Sequence, residues 1–315
     1  MAERNWAGNL TYSAAAIHLP ATVAELCQVV ADHPRVRALG SRHAFNDIAD
    51  TAGVLVSLAA LPAELEVADD TVTVPAGVRY GVLAEGLQDR GLALANLASL
   101  PHISVGGAIA TATHGSGSRV GNLATAVAAL EVVGADGTVR RIARGDAEFA
   151  GSVVALGALG IVVRVTLEVR PTFDVRQDVY PAVPWAPVLA DLDAVLSLGY
   201  SVSLFTDWVG PAIGQVWVKS VDTSPPADLH GTEAATKTMH MLADEPAEAV
   251  TEQGGVPGPW LHRLPHFRLG HKPSSGAELQ SEYLVPRESA VAAIERVRAL
   301  GERVARVLQV SEIRT

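Results

Sequence analysis

The run Val36-Arg37-Ala38-Leu39 is short and apolar, and it breaks at Gly40-Ser41 before presenting Arg42, His43 and Ala44. A strand that ends on small residues leaves main-chain N–H groups unpaired and pointing one way, a concavity suited to an anion such as a pyrophosphate. His43 sits at its edge, beside whatever the phosphates belong to. A second constraint lies between Ser99 and Gly117, where almost every side chain is small: Ser104, Gly106, Gly107, then Thr111-Ala112-Thr113-His114-Gly115. Main chain there can approach a flat or charged ligand closely, and the hydroxyls can donate to phosphate oxygens. Taken singly, each segment has a plainer reading, an ordinary turn histidine in the first and tight packing in the second.

The surrounding pattern is α+β. Ala16 to Leu19 is extended, and Thr22-Val23-Ala24-Glu25 has capping-box form ahead of Leu26, Val29 and Val30 at helical spacing. Short strands follow at Val36 to Leu39, Gly53 to Leu58, Glu64 to Val67 and Thr71 to Val74, with a helix from Val82 to Arg90 that stops at Gly91. Asp136-Gly137 marks a hairpin between Val127 to Gly134 and Thr138 to Ile142, and Ile161 to Val169 is a long β-branched strand. Prolines then cluster from Pro171 to Pro187, which places a domain boundary there: residues 1–171 and 172–315. In the second part, Ser203 to Trp208 and Gln215 to Lys219 read as paired strands. Glu278 to Leu284 reads as a strand, Arg287 to Arg303 as one helix, and Arg306 to Thr315 as a last strand. That order suggests an antiparallel sheet with helices on one face.

With 315 residues the chain exceeds one ordinary core, in keeping with two domains. A net charge of −10 argues against nucleic acid as a partner, because phosphate backbones are met by clustered Lys and Arg. No apolar run approaches the roughly 20 residues that span a bilayer. The start, Met1 to Trp6, lacks the basic-then-apolar form of a signal peptide, so a cytoplasmic protein is expected. Cys27 is the only cysteine, which leaves no intrachain disulfide and no thiolate cluster. No metal is expected either: His102 and His114 lack ligand spacing, and Pro265 between His262 and His266 spoils a shared helical face. Gly115, Gly117 and Gly121 are spaced one residue too far for a dinucleotide fingerprint, so a nicotinamide domain is weakly supported.

Together, the loop at 40–46, the small-residue stretch at 99–117 and Gly157-Ala158-Leu159-Gly160-Ile161-Val162 resemble the vanillyl-alcohol oxidase family of flavoproteins. From Asn5-Trp6-Ala7-Gly8-Asn9 onward the whole chain is similar to its alditol oxidase branch, the xylitol and sorbitol oxidases. Asn96 to Gly117, Tyr200 to Trp208, Glu252 to Phe267 and Pro273 to Tyr283 all carry the likeness.

The resemblance implies a two-subdomain FAD-binding domain of that family's type, followed by a substrate (cap) domain. Ala38, Leu39, Gly40, Ser41, Arg42, His43 and Ala44 would hold the pyrophosphate, and His43 would carry a covalent bond to the flavin's 8α carbon. Ser104, Gly107, Thr111, Ala112, Thr113, His114 and Val162 would complete the FAD contacts. Arg42 and Ala44 depart from the smaller and hydroxylated neighbours usual around this histidine. Ser99, Glu312 and Arg314 would line a polyol pocket. Glu312 and Arg314, two apart on a strand, share one face; without the resemblance they read as an exposed ion pair worth about 0–1 kcal/mol. The implied activity is oxidation of a terminal alditol hydroxyl to an aldose, with O2 reduced to hydrogen peroxide, by a monomer whose partners are a small polyol and O2. The family's C-terminal return segment, with a lysine and a histidine near the reacting alcohol and the general base among them, would then lie beyond Thr315. Competing readings are a sugar-1,4-lactone oxidase or dehydrogenase of the gulonolactone type and a catalytically idle flavin-binding fragment.

Overall fold

The structure, a computed structural model, describes residues 3–271 and 278–315; part of the stretch from Pro273 to Tyr283 that carries the likeness falls outside them. The chain forms two compact units, the first comprising residues up to Gly115, Gly121–Thr172 and a short return at 278–280. The second comprises Ser116–Val120, residues 173–271 and Ser281–Thr315.

The first unit begins with a small parallel sheet. Strand β1 (Ala16–His18) leads through helix α1 (Val23–Asp32) to β2 (Val36–Ala38), and β3 (Val54–Val56) lies between them. All three residues of β3 are buried, as expected of a central strand covered on both faces. Helix α1 opens where the capping pattern placed it. Thr22 Oγ1 accepts from the Glu25 N–H at 3.1 Å, and the Glu25 carboxylate reaches back one residue further than a standard box, accepting from the Ala21 N–H at 2.8 Å.

A second sheet carries the rest of the unit. Its elements are β4 (Glu66–Ala68), β5 (Thr71–Pro75), α2 (Tyr80–Gln88), β6 (Leu92–Ala93), α3 (Val105–Ala110), β7 (Val127–Val133), β8 (Val139–Ala143), α4 (Phe149–Val153) and β9 (Ile161–Glu168). The five-stranded order is β4-β5-β9-β7-β8, antiparallel throughout, and β10 (Arg170–Pro171) pairs separately with β6. The β7–β8 hairpin turns at Gly137, whose φ of +74° explains the Asp-Gly step.

The second unit is built on β11 (Asp174–Pro184). Helices α5 (Trp185–Ala190) and α6 (Leu192–Leu196) follow, then β12 (Ser201–Thr206), β13 (Ala212–Ser220), the two-residue strands β14 (Asp228–Leu229), β15 (Thr232–Glu233) and β16 (Gly258–Pro259), helices α7 (Ala290–Arg298) and α8 (Gly301–Val304), and β17 (Ser311–Arg314). The antiparallel sheet runs β16-β11-β13-β12-β17. Alternation gives it two different faces. Tyr180, Val202, Leu204, Val216, Val218 and Ile313 form one core with Trp185, Val188, Leu192, Val195 and Leu196 of α5 and α6 and Ile294 of α7. Gln177, Ser201, Ser203, Gln215 and Lys219 share the other face and are also buried.

Three sequence expectations need correction. Residues 278–284 form no strand; Leu279, Tyr283 and Leu284 point into solvent and no ladder pairs with them among the described residues. The expected helix from Arg287 to Arg303 is broken after α7, because the chain bends so that Gly301 meets the Trp208 carbonyl. A Cβ there would lie 2.2 Å from that oxygen. The last strand starts only at Ser311, since helical turns persist through the Leu308 N–H to Val304 carbonyl bond of 3.1 Å. Among the described residues, no helix is long and apolar enough to cross a membrane.

The two-faced sheet makes a prediction about stability. Leu204→Ala should cost about 2–5 kcal/mol by urea denaturation, as buried leucine truncations do. Its neighbour Ser203→Ala should cost about 1 kcal/mol or less, because its hydroxyl adds at most one modest hydrogen bond.

Candidate functional site

In the first unit the two segments singled out in the sequence meet. Leu39 continues β2, its N–H donating to the Val56 carbonyl at 2.7 Å. The chain then turns, and Ser41 Oγ accepts from the Ser104 N–H at 3.1 Å. The approach leaves no room for side chains: a Cβ on Gly40 would lie 2.7 Å from Ser104 Oγ and 3.6 Å from Gly107 Cα, and one on Gly107 would lie 2.8 Å from the same oxygen. Small residues are therefore required here by contact. Thr111 Oγ1 donates to the Gly107 carbonyl at 3.0 Å and lies 3.4 Å from Thr113 Oγ1. His114 turns its Nδ1 to the Gly115 carbonyl at 2.8 Å. Val162 lies on the half-buried face of β9, opposite its buried neighbours Ile161 and Val163.

His43 is held from an unexpected direction. Trp6 stacks on its ring with centroids 5.4 Å apart, and the Trp6 N–H donates to the Arg42 carbonyl at 2.8 Å. Asn5 Nδ2 donates to the Ala44 carbonyl at 2.9 Å, Asn9 Nδ2 to that of Phe45 at 3.0 Å, and Arg42 pairs with Glu3. The N-terminal segment thus ties down the loop on both sides of His43 in sequence and covers the ring with Trp6. Arg42 has a φ of +67°, a conformation costly for a residue with a side chain. Burial, then the neighbouring His102 and Arg79, push the His43 imidazole down to about 4 against a weaker opposing pull from Ser41. The ring is accordingly neutral at neutral pH.

These features fit an FAD pyrophosphate and a flavin tether. The close approach excludes a Cβ at Gly40 and at Gly107, and two buried polar atoms beside it, His43 Nδ1 and Ser104 Oγ, have no hydrogen-bond partner in the protein. Buried polar atoms normally find partners, so orphans beside a main-chain cradle are groups a bound ligand would satisfy.

The second unit holds a polar cluster on the inner sheet face. Cross-strand register places Phe205 opposite Gln215 and Glu312, and Ser203 opposite Trp217 and Arg314. Glu312 and Arg314 project together as expected, with Oε2 and Nη1 3.4 Å apart. The sequence reading missed two members. His266 Nε2 donates to Glu312 Oε1 at 2.9 Å, and Lys219 Nζ donates to His266 Nδ1 at 3.1 Å. Burial pushes the Glu312 carboxyl up, but His266 and Arg314 outweigh it and leave the group well below the usual carboxylate range. Glu312 is thus a charged acceptor beside a guanidinium donor, a pairing able to bind adjacent hydroxyls. Ser99 belongs to the first unit, partly buried after Ala98. A signal for the missed pair existed: Lys219 is one of only three lysines and interrupts the apolar run Val216-Trp217-Val218.

Residues 14–143 match the FAD binding domain family. An alditol oxidase from Streptomyces sp. (strain IKD472 / FERM P-14339) is 49% identical over 316 residues, covering 99% of this chain and 76% of that protein. An L-gulono-1,4-lactone dehydrogenase from Mycobacterium tuberculosis is 39% identical over 179 residues, 55% of this chain and 42% of that one. The L-gulonolactone oxidase of Mus musculus is 34% identical over 201 residues, 61% and 46% of the two chains. Among solved structures, cholesterol oxidase from Brevibacterium sterolicum superposes with a TM-score of 0.60 at 19% identity, over 71% of this chain and 48% of that one, which shows a shared fold. Because the first of these likenesses runs through both units, this chain belongs to the alditol oxidase family of FAD-dependent oxidoreductases.

Proposed function

We propose that this protein oxidises a terminal hydroxyl of an alditol such as xylitol or sorbitol to the aldose, reducing O2 to hydrogen peroxide. The observation that carries this reading is the extent of the likeness. Identity to the alditol oxidase spans 99% of the chain, whereas the lactone-oxidising relatives match 55% and 61% of it. A lactone substrate is therefore the less favoured reading.

When bound, FAD supplies the redox chemistry, taking a hydride from the carbinol carbon and passing the electron pair to O2. The protein's part is to hold and to exclude. Gly40, Ser41, Ser104 and Gly107 would receive the pyrophosphate, with main-chain contact made possible by the missing Cβ atoms. Thr111, Ala112, Thr113 and His114 would extend that contact along the chain after α3. His43, neutral and clamped by Trp6, would carry the covalent bond through the nitrogen that lacks a protein partner. Glu312 would accept from one substrate hydroxyl and Arg314 donate to the next, fixing which carbon reacts. Ser99 would contribute a further hydroxyl contact.

Mass spectrometry of denatured, FAD-grown protein should find the flavin on the peptide containing His43, and His43→Ala should yield protein whose yellow colour is lost on denaturation. A flavin still attached in that variant would refute the tether. Peroxide release should be strongest with xylitol or sorbitol and weak with gulonolactone; the opposite order would transfer the assignment to the lactone oxidases.

A further inference from the structure

Lys219 is 1% exposed. A buried ammonium is costly unless each of its three donors meets an acceptor. Here all are met from one short segment: the Leu264 carbonyl at 2.5 Å, the Pro265 carbonyl at 3.3 Å and His266 Nδ1 at 3.1 Å. Burial pulls the Lys219 amine down to about 7 against the opposing charge of Glu312; as the ammonium it can only donate, so His266 Nδ1 then carries a lone pair and its proton sits on Nε2. That N–H points to Glu312 Oε1, 2.9 Å away. The ring is held edge-on between Trp217, at 5.3 Å between centroids, and Phe205, at 5.5 Å. Its main chain is tied down as well, since the Thr251 N–H donates to the His266 carbonyl at 2.9 Å and Thr251 Oγ1 to that of Pro265 at 2.8 Å.

We propose that Lys219 and His266 are positioning residues for the substrate-binding carboxylate: Lys219 fixes the His266 tautomer, and His266 fixes Glu312 Oε1, so that Glu312 and Arg314 meet neighbouring hydroxyls of a polyol in one register. This rests on the assignment of Glu312 and Arg314 to the polyol pocket. A carboxylate accepts at about four lone-pair sites, and His266 and Arg314 engage only part of that capacity. Without the Nε2–H the carboxylate could rotate, and the flipped tautomer would set a lone pair against its charge. Burial and then the Lys219 charge push the His266 imidazole down to about 4, overcoming Glu312, so the ring stays neutral while Glu312 is ionised. The charged groups facing the ring are Lys219 from β13 and Glu312 and Arg314 from β17.

The test combines a tautomer signature with xylitol affinity, measured on the FAD-loaded chain. The 15N imidazole pattern of His266, assigned by its loss in His266→Gln, should be that of a neutral ring protonated at Nε2, and Lys219→Met should abolish this single-tautomer pattern. Calorimetric Kd for xylitol should rise about tenfold in His266→Leu, the scale of one hydrogen bond to a charged group. His266→Gln, whose amide N–H can take the place of Nε2–H, should return affinity to within about threefold of wild type by the same reasoning. Lys219→Met should weaken binding in the wild-type background and have no further effect in His266→Gln, because Gln has no tautomer to fix. Thermal melts identify any variant that fails to fold, and the Gln variant keeps the comparison available if Leu does not. An Nδ1–H ring in the wild type, or a folded His266→Leu that binds xylitol normally while Glu312→Gln does not, would overturn the proposal. If Glu312→Gln itself binds xylitol normally, the pocket assignment fails and the proposal goes with it, whatever the 15N pattern.

Discussion

Nothing larger than the Ser104 hydroxyl fits between Gly40 and Gly107. The loop after β2 and the first turn of α3 meet at main-chain distance, with Ser104 Oγ filling the space that any Cβ would enter and Ser41 Oγ taking the Ser104 N–H. Much of the first unit is arranged to make that approach possible. The parallel strands β1, β3 and β2 deliver Gly40, and the segment at 101–105 is held by the Tyr80 N–H to Ile103 and Val105 N–H to Val78 bonds at 3.0 and 2.8 Å. Residues 41 and 104 are far apart in sequence, so the contact forms only once both sheets are in place.

Two of the chain's strained backbone positions belong to these segments. Arg42 and Ala112 both have positive φ, +67° and +56°, and they lie one residue from His43 and Thr113 respectively. Neither is a glycine, so each conformation must be imposed by its surroundings. For Arg42 the imposing contacts are visible: Trp6 takes its carbonyl, Glu3 pairs with its guanidinium, and Asn5 secures the Ala44 carbonyl beyond. The N-terminal segment therefore acts as a brace for the histidine loop, and the departure at Arg42 from smaller residues has a structural counterpart in Glu3.

Local signals in the sequence read well because the forces behind them are local. Thr22 caps its helix, Asp136-Gly137 turns its hairpin, and β9 is a β-branched run that pairs on both sides. Glu312 and Arg314 share a face because strand alternation requires it. The misses came where tertiary contacts decide. Arg287 to Arg303 has helical periodicity throughout, yet the Trp208 carbonyl fixes Gly301 and breaks the run. Leu279, Tyr283 and Leu284 have the composition of a strand but meet no partner edge among the described residues. Lys219 and His266 are 47 residues apart, and only the folding of 260–268 over the sheet joins them. The spacing of His262 and His266 in sequence speaks only to a shared helical face and carries no signal of a hydrogen-bonded chain.

Lys219 raises a question of why a charge should be buried at all. A methionine of similar length would avoid the desolvation cost, and apolar replacement of buried ion pairs is often neutral or stabilising. The segment from Leu264 to His266 supplies the answer. Laid across a sheet face, it turns two carbonyl oxygens and a ring nitrogen inward, and the strand beneath has already used its own N–H groups in the ladder with β11 and β12. Only a side chain with several donors and no acceptor can satisfy all three. Arginine's rigid fork suits flat, paired acceptors, whereas three acceptors converging on a point suit an ammonium. The chain uses arginine almost everywhere else, and its departure here follows from the geometry of the segment that has to be held.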